Sequence, residues 1–71
     1  MYIAIDIGAT YLRVAIGKDK ILEIIKERTK NSNEELKNQI ISNVWKLVKK
    51  YSAKIESIGI SSIGPLDMKK G

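Results

Sequence analysis

The residues of this 71-residue chain best suited to chemistry stand together near its start, in Asp6-Ile7-Gly8-Ala9-Thr10. They supply one carboxylate, one glycine and one hydroxyl within five positions. Gly8 allows a ligand to approach the main chain closely. Successive N–H groups in a tight turn form a concave anion site. A carboxylate beside such a site can hold a divalent cation that bridges to phosphate oxygens. Asp6, Gly8 and Thr10 therefore suit half of a nucleotide phosphate site. The same composition also suits an ordinary hairpin turn, so the flanking elements must decide between the two.

Tyr2-Ile3-Ala4-Ile5 precedes the turn and Tyr11-Leu12-Arg13-Val14-Ala15-Ile16 follows it. Both runs are rich in β-branched and aromatic residues and have strand length. The first strand is expected over Tyr2 to Asp6, apolar on both faces as a central strand covered on both sides would be. The second is expected over Tyr11 to Ile16. Gly17-Lys18-Asp19-Lys20 is a turn signal. A third strand is expected over Ile21 to Arg28, and its charged end, Lys26-Glu27-Arg28, suits a sheet edge. The three form an antiparallel meander.

After the polar link Thr29-Lys30-Asn31, Ser32 and Glu35 have the spacing of a capping box. Leu36, Ile40, Val44, Leu47, Val48 and Tyr51 then recur at helical spacing, with Ile41 and Trp45 widening the stripe. That stripe is expected to pack on the sheet, with Trp45 as a packing residue. Lys46, Lys49 and Lys50 complement the helix dipole. A fourth strand is expected from Ile55 to about Ser61. A strand reached through a helix runs parallel to an earlier one by a right-handed crossover. The first and fourth strands are thus expected side by side, with Asp6–Thr10 bordering Ser61-Ser62-Ile63-Gly64-Pro65. In open α/β sheets, ligands bind outside the carboxyl ends of strands.

Composition narrows the classes. The chain is long enough for one small domain only. It has no Cys and no His, which removes disulfides and Cys/His zinc sites. Apolar content of 44% and charged content of 30% are those of a folded soluble protein. No apolar run approaches the roughly 20 residues that cross a bilayer, and no basic-then-apolar leader precedes the first strand. A cytoplasmic location and no membrane partner are expected. Net charge is +5, but the cations are mostly Lys, spread along the chain, and suit a solvated surface better than a nucleic-acid patch.

The segment from Asp6 to Ala15 resembles the first phosphate motif of the actin/hexokinase/heat-shock ATPase superfamily. Ile58-Gly59-Ile60-Ser61-Ser62-Ile63-Gly64-Pro65-Leu66-Asp67, with Gly71 beyond, resembles the corresponding segment of ROK-family sugar kinases. Ala9, Ser61 and Ile63 depart from the family pattern, which usually has Gly at the first two positions and Pro at the third. The resemblance covers the whole chain and implies an α/β, ribonuclease H-like (actin-like ATPase) β-β-β-α-β mixed sheet. Residues 1–71 would be the N-terminal segment of such a sugar kinase domain, an incomplete part of the fold.

The resemblance further implies ATP and Mg²⁺ as cofactors and a small-molecule sugar as substrate. Asp6 would hold Mg²⁺ through water. Gly8, Ala9 and Thr10 would meet the ATP phosphates, and Arg13 would add charge there. Ser62, Gly64 and Pro65 would line the sugar pocket. No catalytic residue is assigned, because the family's base lies in an Asn-Asp motif that is not present here, and Asp67 is not its counterpart. The segment alone is expected to be inactive, and to dimerise or be marginally stable. The intact protein is expected to act as a homo-oligomer without nucleic acid.

Two other readings stand beside this one. A ribonuclease H-like nuclease of the YqgF/RuvC type, acting on DNA with Mg²⁺, also opens with a carboxylate on strand one and a similar turn. Two-metal cleavage needs further carboxylates, and strand four ends in Ser61-Ser62. A ROK-type repressor would carry a helix-turn-helix ahead of the first strand, where this chain starts directly on that strand.

Overall fold

A computed structural model describes residues 1–62. Four strands and one helix follow in the order β1 (Tyr2–Ile7), β2 (Tyr11–Gly17), β3 (Ile21–Arg28), α1 (Asn33–Tyr51) and β4 (Ser57–Ser62). The sheet order is β3-β2-β1-β4. β1 pairs antiparallel with β2, and β2 with β3. β1 pairs parallel with β4, in a register that sets Asp6 beside Ser61 and Ile7 beside Ser62. The expected meander, crossover and edge position of β3 are all present. This mixed sheet with one helix is the N-terminal β-β-β-α-β arrangement of the ribonuclease H-like, actin-like ATPase fold.

Strand alternation sorts the sheet into two faces. Ile3 and Ile5 of β1 and Leu12, Val14 and Ile16 of β2 point to the helix side and are buried with Leu47 of α1. Tyr2, Ala4, Asp6, Arg13 and Ala15 lie on the other side. Among the described residues the helix covers one face only, and Ala4 is exposed. The expectation of a first strand covered on both sides is therefore met on the helix side alone. Gly17 closes β2 at an irregularity in the β2–β3 register. A Cβ there would run into the Tyr2 ring and stand 2.8 Å from the Lys20 carbonyl.

The helix begins and ends as its sequence dictates. Ser32 is the N-cap and its hydroxyl accepts the Glu35 N–H at 3.1 Å. Ser52 terminates it in the left-handed region, with φ of 48°. No helix among the described residues is long and apolar enough to cross a membrane.

The packing of α1 corrects the expected stripe. Its most buried side chains are Gln39, Asn43 and Leu47, with Asn43 only 2% exposed. Leu36, Ile40, Val44 and Tyr51 pack around the core. Ile41 and Trp45 do not widen the packed face: Trp45 is 58% exposed. The helix turns Gln39 and Asn43 toward β3, where both amides find partners. Gln39 Nε2 donates to Glu27 Oε1 (3.0 Å) and to the Arg28 carbonyl (2.9 Å), and Asn43 Nδ2 donates to the same Glu27 oxygen at 3.0 Å. The Lys30 N–H donates to Gln39 Oε1 at 3.2 Å. These donors, Asn43 first and then Gln39, hold the Glu27 carboxyl below its ordinary range. On the β4 side a groove of about 520 Å³ is left, lined by Ile41, Trp45, Val48, Ile55, Ile58 and Ile60 among others.

Candidate functional site

The turn from Asp6 to Thr10 sits at the carboxyl end of β1 and connects it to β2. It is closed by the Gly8 N–H donating to the Tyr11 carbonyl at 2.9 Å. A Cβ on Gly8 would stand 2.9 Å from that same carbonyl oxygen, closer than real Cβ contacts come. Glycine is required here by crowding. Ala9 and Thr10 form the exposed tip. Among the described residues neither of their N–H groups donates to a protein acceptor. Two adjacent exposed N–H groups without partners are what an anion can use.

Asp6 lies across the strand pair from Arg13. Arg13 NH1 stands 3.4 Å from Asp6 Oδ2, and both side chains are more than a third exposed. That distance is long for a charge-assisted hydrogen bond. Such exposed pairs are worth about 0–1 kcal/mol, so Arg13 can leave Asp6 for another anion at little cost. The second carboxylate oxygen, Asp6 Oδ1, is shut from solvent and accepts no hydrogen bond from the described residues. A buried, unpartnered carboxylate oxygen costs free energy that folding does not return. Beside a turn with two exposed N–H groups, such an oxygen suits a cation ligand. One carboxylate with waters and ligand phosphates is the usual donor set of Mg²⁺, so the residues present fit that group.

The structure adds two features that the sequence did not mark. Lys26 and Arg28 sit on the same sheet face as Arg13 and Tyr11, through the pairs Arg13–Lys26 and Tyr11–Arg28. Lys26 Nζ lies 4.4 Å from the Tyr11 ring centre, and the Arg28 guanidinium carbon 5.8 Å from it. In the sequence these cations suit only an edge strand; in space they flank the turn. The second feature is Thr29, which in the sequence is part of a polar link. Its Oγ1 donates to the Gly8 carbonyl at 2.8 Å, and its N–H donates to the Thr10 carbonyl at 2.9 Å. A Thr directly after an edge strand gives no periodic signal of such a role.

The sites expected from sequence divide accordingly. Asp6, Gly8, Ala9, Thr10 and Arg13 are brought together in one turn and its cross-strand neighbour. Ser62 lies at the end of β4, paired with Ile7. Gly64 and Pro65 lie outside the described residues, as does Asp67. The parallel register sets Ser61, not a carboxylate, beside Asp6. Among the described residues no group of three or more His, Cys, Asp or Glu converges, so the gathering that a two-metal nuclease needs is not found there.

A parallel strand pair carrying an Asp-x-Gly turn, with a helix crossover leading into its second strand, is compatible with the N-terminal part of an actin-like ATPase sheet. The model of the ROK family matches residues 2–71, and the chain belongs to that family. It is 32% identical over 69 residues to a glucokinase of Aeropyrum pernix, an alignment that takes in 97% of this chain and 22% of that protein. The chain thus spans about a fifth of the length of the curated relative it matches.

Proposed function

We propose that residues 1–71 are the N-terminal segment of the actin-like ATPase domain of a sugar kinase, and that this segment grips the phosphates of ATP for transfer of the γ-phosphoryl group to a sugar hydroxyl. The observation that carries the reading is the conjunction, in one turn, of an Asp6 Oδ1 and of Ala9 and Thr10 N–H groups that have no hydrogen-bond partner among the described residues. Family membership and the glucokinase relative support the reaction class.

Phosphoryl transfer depends mainly on positioning and on neutralising charge. In this reading the Ala9 and Thr10 N–H groups orient phosphate oxygens, and Gly8 keeps the main chain close to them. Arg13, released from its long contact with Asp6, adds positive charge. Asp6 would hold Mg²⁺ through water, and the bound ion would supply further charge neutralisation at the phosphates. Ser62, Gly64 and Pro65 are assigned to the sugar side; the β1–β4 register pairs Ser62 with Ile7, next to the turn. No residue of 1–71 is assigned as the base that accepts the hydroxyl proton, so the segment by itself is expected to be inactive. The intact protein is expected to work as a homo-oligomer in the cytoplasm.

A coupled assay with ATP, Mg²⁺ and glucose or other hexoses, run on the full-length protein carrying this chain, tests the reading. The expected result is hexose-dependent ADP formation that falls by about 10²–10³ in Asp6→Ala, as removal of a charge-positioning group does. Turnover that is indifferent to Asp6, or ATP use with no sugar accepted, would overturn it.

A further inference from the structure

We propose that Thr29 is a positioning residue for the phosphate turn: its hydroxyl anchors the Gly8–Ala9 peptide so that the Ala9 N–H is presented to phosphate. The inference rests on the reading of the turn as an ATP phosphate site. The argument begins with the peptide unit itself. In a trans peptide the carbonyl of one residue and the N–H of the next point in opposite directions. The Gly8 carbonyl accepts the Thr29 hydroxyl at 2.8 Å. The Ala9 N–H is therefore directed away from Thr29.

An anchor is needed at this place for two reasons. Gly8 has no Cβ to restrict its backbone, so the Gly8–Ala9 plane is the one in the turn most free to rotate. The Gly8 carbonyl is also the group that would close a four-residue turn by accepting the Tyr11 N–H. Among the described residues that bond is not made; the turn is closed in the other sense, by the Gly8 N–H donating to the Tyr11 carbonyl. Thr29 takes the carbonyl instead. The Thr29 N–H donates to the Thr10 carbonyl at 2.9 Å, so the same residue grips the turn on both sides of its tip. Thr29 leads out of β3 toward α1, and its reach across β2 ties the third strand to the turn between the first and second.

The substitution pair Thr29→Val and Thr29→Ser separates positioning from packing. Val keeps the shape and the main-chain N–H but loses the hydroxyl. Ser keeps the hydroxyl and loses the methyl. On the full-length protein, Thr29→Val is expected to raise KM for ATP about tenfold, the worth of one misdirected N–H contact to a charged group, with KM for the sugar unchanged. Thr29→Ser is expected to stay within about twofold of the parent for both substrates. If the Val variant does not fold, Thr29→Ala against Thr29→Ser makes the same comparison, hydroxyl lost against hydroxyl kept. An unchanged KM for ATP in the hydroxyl-free variant, equal losses in Val and Ser, or a rise in both KM values together would each overturn the proposal. A parent protein that phosphorylates the sugar while Thr29→Val behaves like it removes the Thr29 role alone. A parent protein that uses no sugar removes the phosphate-site reading and this inference together.

Discussion

The two flanks of α1 differ in a way that inverts the usual rule. Toward β3 the helix buries two amides, Gln39 and Asn43, on a carboxylate. Toward β4 it leaves Trp45 and Ile41 in the open, facing Ile58 and Ile60, the latter 66% exposed. Polar groups are inside on one flank and apolar groups are outside on the other. Directional bonds accompany the first: both hydrogens of the Gln39 amide and one of the Asn43 amide have acceptors within 3.0 Å, and hydrogen-bonded polar groups can be buried at little cost. The second flank has only contact to offer, and contact is non-directional. The hydrogen-bonded flank is the one turned inward, and the apolar residues Ile41 and Trp45 stand on the flank turned out.

This contrast can be broken by substitution. Leu47 lies between the flanks in the core, so Leu47→Ala sets the scale, with an expected loss of about 2–5 kcal/mol in urea unfolding. Asn43→Ala should cost about 1–3 kcal/mol, because it strips a donor from the Glu27 carboxylate and leaves a cavity. Acid should then act through Glu27. Its carboxyl is held below the ordinary value of 4.5 by Asn43 and Gln39, so the unfolded chain binds the proton more readily. That contribution is full above 4.5 and is lost as pH falls through the lowered folded value. Urea midpoints between pH 7 and 3 should show a shallower acid limb in Glu27→Gln than in the parent. Trp45→Ala, on the open flank, should change stability by no more than about 0.5 kcal/mol. A Trp45 variant that loses more than the Asn43 variant would erase the distinction between the flanks.

The same contrast shows where sequence reading reaches and where it stops. Alternation along β1 sets Ile3 and Ile5 on one face, and both are buried, because period two leaves little choice of face. Ser32 announced the helix start, and the helix between β3 and β4 announced their crossover. The parallel pairing of Asp6 with Ser61 followed from that. The roll of α1 did not follow, since a hydrophobic stripe fixes a helix only to within the reach of competing polar partners, and Gln39 and Asn43 look like surface residues in sequence. Thr29 was hidden for a related reason. Its partners are backbone carbonyls, which every residue has, and its contact to Gly8 is made across β2. Lys26 and Arg28 carried their charge openly, but only the β2–β3 register puts that charge beside the turn.

The register also orders events in time. Among the described residues, the hydrogen bonds of Gly8 and Thr10, with Tyr11 and Thr29, lie within the first twenty-nine residues. The β1–β4 pairing instead joins Tyr2 to Ser57 and must close a far longer loop, whose entropy delays it. As the chain leaves the ribosome, the meander can therefore set its turn while the other edge of β1 is still open. The Asp6–Thr10 turn rests on local contacts, and β4, whose pairing closes the longer loop, is expected to join the sheet after it.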